Sequence, residues 1–444
     1  MKTNVILMLA FSTACLAQKP IDKYVESGIK NSIVLQQKNI SLEKAIYSLK
    51  EANSLFFPSI NLKGDYQSGE GGRQIAIPLG DMLNPVYGTL NQLTMSNSFP
   101  QISNVETNFF PKNFYDVKLR TAMPIINADL FYNRDIQKQQ IKISEFEIEI
   151  YKKELSKNIK VAYYQYLSAA KAISIYENAI KVAQEAKRIN EKLLNNGKTV
   201  KAYVLRAESE IQNLQSKITS SKQQEKNAQL YFNFLINASN DQVIDTLGST
   251  ELGEENIKNY LVSDLAISDR AELKAINQSI SILSTVNNMN KNYWLPKLNG
   301  FIDLGSQASD WKYNDKSRYY FLGLQLDIPL FAGGNQLYKI KKSKLDIDLQ
   351  KSQLMYMQQQ LNLSANVAKN SIKSHYQIYQ SAIQQTTAAK AYLDLIDKGY
   401  KEGINTFIET LDARNQLNIS QIQELITKYD LMASIAVYER EINK

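Results

Sequence analysis

The chain has 444 residues, of which 44% are hydrophobic and 22% are charged, with only 17 glycines and 9 prolines. This composition excludes a disordered or collagen-like chain and predicts long helices, because glycine and proline are the residues that interrupt them. Lysine and arginine total 52 against 44 acidic residues, and so modest an excess does not indicate a nucleic-acid partner.

The first 17 residues have the pattern of a secretory signal peptide, with one lysine, an apolar run from Val5 to Phe11 and small residues before Ala17. Cleavage after Ala17 would leave a mature chain without cysteine. The alternative is lipidation of Cys15, since the three preceding residues resemble a lipobox, although Ser12 stands where that motif has a branched apolar residue. No later stretch reaches the about 18 apolar residues of a membrane helix, so entry into a membrane would require strands.

The predicted elements occur in the same order twice: a helix, a strand, a loop, a strand, a very long helix, a glycine-marked break and a shorter helix. Helical and alternating patterns predict helices near 21–55, 128–194, 199–236, 268–293, 333–397 and 405–442, and strands over 57–67, 114–123, 295–304 and 319–328. The loop 68–113 is longer than usual for a hairpin. It is rich in apolar residues, so we expect it to pack at the mouth of any barrel that the strands form.

Two copies of one architecture are indicated by a match at an offset of 206 residues, the separation of Gly197 and Gly403. Heptad spacings run back from each glycine and predict a coiled-coil seam. The seam residues are Leu155, Ile159, Ala162, Tyr166, Ala169, Ile173, Tyr176, Ile180 and Ala183 in the first copy and Leu361, Ala365, Ala368, Ile372, His375, Tyr379, Ala382, Thr386 and Ala389 in the second. We therefore divide the chain into a signal peptide (1–17), a first repeat (18–236), a linker (237–267) and a second repeat (268–444).

The predicted strands alternate apolar and polar residues over about ten positions, the length of a transmembrane strand. Val117 and Leu119 belong to the apolar set of one strand, and Leu322, Leu324 and Leu326 belong to that of another, and we predict that these five residues face lipid. This pattern is typical of strands between lipid and a wet lumen, but also of half-buried strands in a soluble sheet. Four strands cannot close a barrel and open edges are not tolerated in lipid, so a membrane form requires several copies, with eight strands in a dimer or twelve in a trimer.

Equivalent places in the two copies carry related residues at the strand entries, a strand exit and the hairpin tips. These are Phe57-Pro58 and Leu295-Pro296, the segment from Ile328 to Gly334, and Gly197 and Gly403. With these residues the chain resembles the TolC family of outer-membrane efflux proteins. The resemblance implies a mainly α protein with transmembrane β structure, in which each two-repeat protomer adds four strands and long helical hairpins to a homotrimer with a 12-stranded β-barrel and a periplasmic α-barrel.

The resemblance also implies a function and a location. The protein would be the passive exit duct of a tripartite efflux or type I secretion system, in the outer membrane of a Gram-negative bacterium and extending into the periplasm. Its partners would be outer-membrane lipid, a periplasmic adaptor and an inner-membrane pump of the RND or ABC type. Neither an enzymatic activity nor a cofactor is implied.

Particular residues match the family's functional positions. Gly197 and Gly403 would mark the tips that dock the adaptor. Glu409 and Asp412, three residues apart on one helix face, match the acidic periplasmic gate, and Tyr400 matches a tyrosine of its latch. The family's second latch residue, an acid, is replaced here by Tyr203, so a different set of contacts is expected to hold a closed state.

Two alternatives from other classes remain at this stage. A periplasmic coiled-coil adaptor would carry lipoyl-like segments around a single hairpin, whereas this chain has two full copies. A coiled-coil structural protein without a membrane barrel would lack the amphipathic strands. Catalysis has little support, because one histidine and no mature cysteine exclude most metal and nucleophile sites, and His375 is expected to be packed or hydrogen-bonded on the seam.

Overall fold

The computed structural model describes residues 20–108, 110–246, 257, 260 and 269–442, so the predicted signal peptide and Cys15 lie outside the described residues. The helices are α1 (Pro20–Asn31), α2 (Ile33–Ser54), α3 (Leu79–Leu93), α4 (Ala128–Asn195), α5 (Lys201–Leu235), α6 (Ala271–Lys291), α7 (Asn335–Lys401) and α8 (Phe407–Glu441). The strands are β1 (Ser59–Gln67), β2 (Gln74–Ile77), β3 (Val105–Asn108), β4 (Phe114–Ile126), β5 (Lys297–Ser309) and β6 (Arg318–Asp327). Among the described helices, none combines the length and the apolar character that crossing a membrane requires.

The chain forms two compact units, and each draws on both halves of the sequence. The helical unit comprises the described residues up to Ala45, those of Gln139–Ser281 and those from Ile347 onward. The sheet unit comprises Ile46–Lys138 and Ile282–Asp346. The division into two sequential repeats joined by a linker at 237–267 stays a prediction.

The predicted heptad seam is the core of the helical unit. Every residue of both seams is buried or half-buried, and Ile159, Ala365 and Ile372 have no exposed surface. His375 is half-buried and its Nδ1 lies 2.9 Å from the carbonyl oxygen of Ser371. The prediction of a hydrogen-bonded seam histidine is therefore confirmed.

A cluster of aromatic rings joins α1 to the first hairpin, formed by α4 and α5, and hydrogen bonds attach this cluster to the chain that follows α5. The Tyr24 ring lies 5.0 Å from Phe232 and 5.8 Å from Tyr163, between ring centroids. The Tyr163 hydroxyl donates to the carbonyl of Asp245 at 2.9 Å, and the Asp245 N–H donates to the Tyr24 hydroxyl at 2.8 Å. Burial raises the pKa of Tyr163 well above its ordinary value and raises that of neighbouring Tyr164 to about 12, with the Glu439 charge adding to the second shift.

The first predicted helix is divided at Ser32, so the expectation of one helix over 21–55 is wrong. The Ser32 hydroxyl accepts a hydrogen bond from the Leu35 N–H at 3.3 Å, and its carbonyl accepts one from Gln36 at 3.1 Å. A serine that bonds to the third following N–H is a helix N-cap, which starts a new helix at Ile33. The other helices match their predicted ranges to within a few residues.

The sheet unit contains a four-stranded antiparallel sheet in the order β1-β4-β5-β6. All four predicted strands are present. β4 continues past the predicted end at 123 to Ile126, because a register shift between Pro124 and Ile126 lets pairing resume beyond a residue without an N–H. β1 and β6 are the outer strands, and within the described chain each has one edge without a partner strand.

The long segment 68–113 is more ordered than its description as a loop predicts. It contains β2, α3 and β3, and two asparagines of α3 fasten the chain that follows the helix. Asn84 exchanges two hydrogen bonds of 2.9 Å with the backbone of Ile102, and Asn91 exchanges bonds of 2.8 and 3.0 Å with that of Phe99. Each side-chain amide donates to the carbonyl and accepts from the N–H of one residue, as a neighbouring strand would. The apolar periodicity of the sequence does not predict this role.

Candidate functional site

One face of the four-stranded sheet is apolar and exposed. Leu119 lies opposite Leu62 on β1 and Leu304 on β5, and directly opposed residues share a face. The predicted lipid-facing residues all lie on this face and are all exposed: Val117, Leu119, Leu322, Leu324 and Leu326. An exposed apolar surface of this extent marks a contact with lipid or protein.

The opposite face of the sheet carries charges that pair across strands. Arg120 donates two hydrogen bonds to the carboxylate of Asp303, at 2.7 and 2.6 Å. Asp116 accepts hydrogen bonds from Lys118 and, at 2.7 Å, from the Tyr319 hydroxyl. The sheet therefore separates an apolar face from a polar, charge-balanced face, as the alternating sequence predicts.

Both predicted tips have one backbone geometry. The φ angles of Gly197 and Gly403 are 71° and 76°, in the left-handed region. At each tip, the glycine N–H bonds three residues back and the next N–H bonds five residues back, with distances of 2.9 and 2.8 Å at the first tip and 3.1 and 2.8 Å at the second. This is the Schellman helix end, which favours glycine because a Cβ opposes the left-handed conformation.

The two tips differ in how the returning helix begins. α5 follows Val200, which has no side-chain cap, whereas α8 follows Thr406 in a capping box. Glu409 Oε2 accepts the Thr406 N–H at 2.6 Å, and the Thr406 hydroxyl accepts the Glu409 N–H at 3.3 Å. The hydrogen bond from the Thr406 backbone, followed by that from its hydroxyl, holds the pKa of Glu409 below its ordinary value.

The other predicted gate residues lie on the second hairpin. Asp412 is exposed on α8, three residues after Glu409, and Tyr400 is half-buried near the end of α7. Within one copy, therefore, Glu409 is engaged in the helix cap and Asp412 points to solvent. The cap shows that Glu409 has at least a structural role, the simpler interpretation of an acid in the first turn of a helix.

Aromatic and polar contacts join the two tips within the helical unit. Tyr203 of the first tip packs on Phe407 of the second with 5.4 Å between ring centroids. Farther from the tips, Asn415 donates to the carboxylate of Glu210 at 3.3 Å. Tyr203 thus contributes a ring contact between the two hairpins in this chain.

Each hairpin is also closed by an ion pair between its two helices. Lys187 of α4 pairs with Glu208 of α5 at 2.6 Å, and Asp397 of α7 pairs with Arg414 of α8 at 3.2 Å. Glu208 and Arg414 are equivalent positions in the repeat, so the two hairpins use opposite charges in the same place. The hydrogen bond in the first pair lowers the pKa of Glu208 and raises that of Lys187.

The helical unit contains a network of ion pairs that the sequence did not predict. Arg270 is only 1% exposed and its guanidinium binds Glu441 at 2.6 Å and Glu272 at 2.7 Å. Arg440 bridges Glu272 at 2.8 Å and Glu154 at 3.0 Å. The network joins the start of α6 to the end of α8 and the middle of α4. Single charged residues in a polar sequence give no signal of such pairing.

Among the residues that the structure describes, no group of three or more histidine, cysteine or acidic side chains is arranged to hold a metal ion. The candidate features that the described residues do show are surfaces and helix ends. They are a two-faced sheet whose outer strands have no partner within the described chain, and a pair of hairpin tips with matching helix ends.

Comparison with known proteins identifies relatives of this architecture. The family model of the outer membrane efflux protein matches residues 25–238 and 262–436. The chain is also 21% identical over 182 residues to the alkaline protease secretion protein AprF of Pseudomonas aeruginosa. That match covers 39% of this chain and 36% of AprF, so it spans well under half of that relative's length.

Solved structures with the same fold cover nearly the whole chain. The CmeC outer membrane channel of Campylobacter jejuni has a TM-score of 0.75 at 16% identity, over 95% of this chain and 85% of CmeC. The outer membrane protein VceC of Vibrio cholerae has a TM-score of 0.74 at 12% identity, over 95% of each chain.

Proposed function

The chain belongs to the outer membrane efflux protein family, and from this premise we propose that three copies form a passive duct through the outer membrane. A passive duct needs no catalytic group. This proposal replaces the two alternatives, a periplasmic adaptor and a coiled-coil structural protein. The three copies would contribute four strands each to one twelve-stranded barrel. Their helical hairpins would extend into the periplasm.

The sheet carries this proposal. Its apolar face is exposed along Leu322, Leu324 and Leu326, and its other face holds paired charges such as Arg120 and Asp303. Among the residues that the structure describes, both outer strands have one edge without a partner strand. Open edges in lipid leave backbone groups without hydrogen bonds, which closure with further copies would satisfy. Membrane strands with a lipid face and a wet lumen have this two-sided character.

For the periplasmic end, we propose that the tips at Gly197 and Gly403 dock an adaptor and that Glu409 and Asp412 line the entrance. Six carboxylates from three copies would favour cations at a narrow aperture. The Glu409 cap is compatible with this role, because Oε2 makes the three hydrogen bonds that the carboxylate accepts from Asn405 and Thr406, which leaves Oε1 for a cation. For the cargo, we propose an exported protein, because AprF, to which part of this chain is similar, is named as an alkaline protease secretion protein. The inner-membrane pump would be of the RND or ABC type.

The proposal is tested by fractionation and conductance. The full chain, expressed in a Gram-negative host, is expected in the detergent-extracted outer-membrane fraction as a trimer that dissociates on heating. The purified trimer is expected to conduct ions in planar bilayers, whereas the heat-dissociated sample is not. A monomer in the soluble periplasmic fraction, or a trimer without conductance, would contradict the proposal.

A further inference from the structure

A cavity of 1030 Å³ lies among α4, α5, α7 and α8 of the helical unit. Its walls include the buried apolar side chains of Ala183, Leu214 and Phe407, and it reaches the surface beside Val182 and Ile189, which are 45% and 41% exposed. Small-molecule sites measure about 300 to 1,000 Å³ and combine apolar walls with a few polar groups. The volume is therefore sufficient for an organic molecule of several rings.

Three buried polar atoms in the walls have no hydrogen-bond partner among the residues that the structure describes: Asn190 Oδ1, Thr386 Oγ1 and Arg414 Nε. Asn190 is 1% exposed, and its Nδ2 donates to the Ala186 carbonyl at 2.9 Å. That bond fixes the amide orientation and leaves Oδ1 as an unused acceptor. Buried polar groups are nearly always satisfied, so a group that enters the cavity would gain these hydrogen bonds.

The cavity also holds a buried acid. Glu210 is 5% exposed, and its carboxylate accepts a hydrogen bond from the neutral amide of Asn415. Among the described residues no basic side chain forms an ion pair with Glu210, and Arg414, which also lines the cavity, pairs with Asp397. A buried carboxylate is stabilised by a cation, and removing that cation's water in an apolar cavity strengthens the attraction.

We propose that this cavity binds an amphipathic organic cation. Its ring system would lie against Ala183, Leu214 and Phe407, its charged N–H groups would face Glu210 and Asn190, and an acceptor oxygen would meet Arg414 Nε. The proposal concerns a binding site in the helical unit, and it does not depend on conduction. Binding among four helices would stabilise the contacts between the two hairpins.

Rhodamine 6G is a suitable probe because it is a fused-ring cation with N–H donors and an ester oxygen. We expect saturable binding to the purified, assembled protein by fluorescence anisotropy. The anionic dye fluorescein, with a related ring system, is expected not to bind. Glu210→Gln keeps the shape of the side chain and should weaken binding about tenfold or more, because it neutralises one charge of a desolvated pair.

Glu208→Gln is the matched control, since Glu208 lies two residues away on α5, outside the cavity, and pairs with Lys187. Its affinity for rhodamine 6G should equal that of the unchanged protein. Absence of saturable binding, equal binding of fluorescein, or equal affinity in Glu210→Gln would overturn the proposal. These outcomes are independent of bilayer conductance, so they do not bear on the proposed duct.

A second measurement keeps position 210 unchanged. Val182→Cys places a thiol at the cavity opening, and Ser174→Cys places one on an exposed part of α4 outside the cavity. Rhodamine 6G should slow modification by N-ethylmaleimide at position 182 and leave the rate at 174 unchanged, after subtraction of any labelling of the parent protein. Equal rates with and without dye at position 182, or a thiol that does not react there at all, would contradict the proposed site.

Discussion

Gly197 and Gly403 end α4 and α7 with the same two backbone hydrogen bonds, at equivalent positions of the two repeats. Apart from each glycine and its two chain neighbours, no heavy atom of the described residues lies within 4 Å of the place where a Cβ would stand at either tip. The requirement for glycine at both tips is therefore conformational and not a matter of space. It follows from the positive φ angle alone.

The tip glycines give the first prediction. Gly403→Val should destabilise the tip by about 1 to 2 kcal/mol, because a β-branched residue opposes a left-handed φ. Gly403→Asn should cost less, since asparagine tolerates this region. Hydrogen exchange at 397–407 measures the local effect, and export assays measure the docking role. We expect reduced export with an intact trimer for valine, and identical behaviour of the two variants would show that backbone conformation is not what the tip requires.

The strand faces give the second prediction. Leu324 lies on the exposed apolar face and its neighbour Gln325 on the opposite face. Leu324→Arg should cost about 2 to 4 kcal/mol if the face meets lipid near the middle of the bilayer, and it should reduce the amount of trimer in the membrane. Gln325→Arg is the matched control and should assemble normally. Equal assembly of both variants would argue against a lipid-facing apolar surface.

The proposed entrance gives the third prediction. Glu409→Gln together with Asp412→Asn removes two negative charges per copy while a glutamine at position 409 can still serve in the capping box. Single-channel recordings in a salt gradient should show a lower preference for cations, because the carboxylates that attract them are gone. An unchanged reversal potential in the double variant would exclude these residues from the entrance.

The lowered pKa of Glu409 gives a fourth prediction, on pH. A carboxyl whose pKa is depressed on folding stabilises the folded state above its unfolded pKa, near 4.5, and this contribution is lost as the pH falls through the lower folded value. The first turn of α8 should therefore lose hydrogen-exchange protection below about pH 4.5. Glu409→Gln should show a smaller pH dependence there, and equal dependence in both proteins would assign the effect to another group.

The network around Arg270 gives the fifth prediction. Arg270→Ala leaves Glu441 without its 2.6 Å partner in a largely buried site, and loss of one member of a buried ion pair costs about 3 to 5 kcal/mol. Lys274→Ala removes a pair with Asp269 that is more exposed and should cost about 0 to 1 kcal/mol. Denaturant unfolding of the assembled protein compares the two. Similar midpoints would mean that the network contributes little to stability.

The sequence by itself determined the elements that repeat with a regular period. Heptad spacing located α4 and α7, because a residue on the seam recurs along one helix and its burial needs only the neighbouring helix of the same hairpin. The alternation of apolar and polar residues located the strands for a similar reason, because successive side chains of a strand point to opposite faces. The glycines at 197 and 403 could be recognised because a left-handed helix end favours a single residue type.

Only the tertiary structure decided which distant residues meet. The pairing of Arg120 with Asp303 joins positions 183 residues apart, and the ion pairs of Arg270 join α6 to the end of α8. The packing of Tyr203 on Phe407 and the asparagine bonds of Asn84 depend equally on how the elements are arranged. Polar side chains of this kind have no periodicity, and the energy of each pair depends on geometry and burial that a linear pattern does not contain.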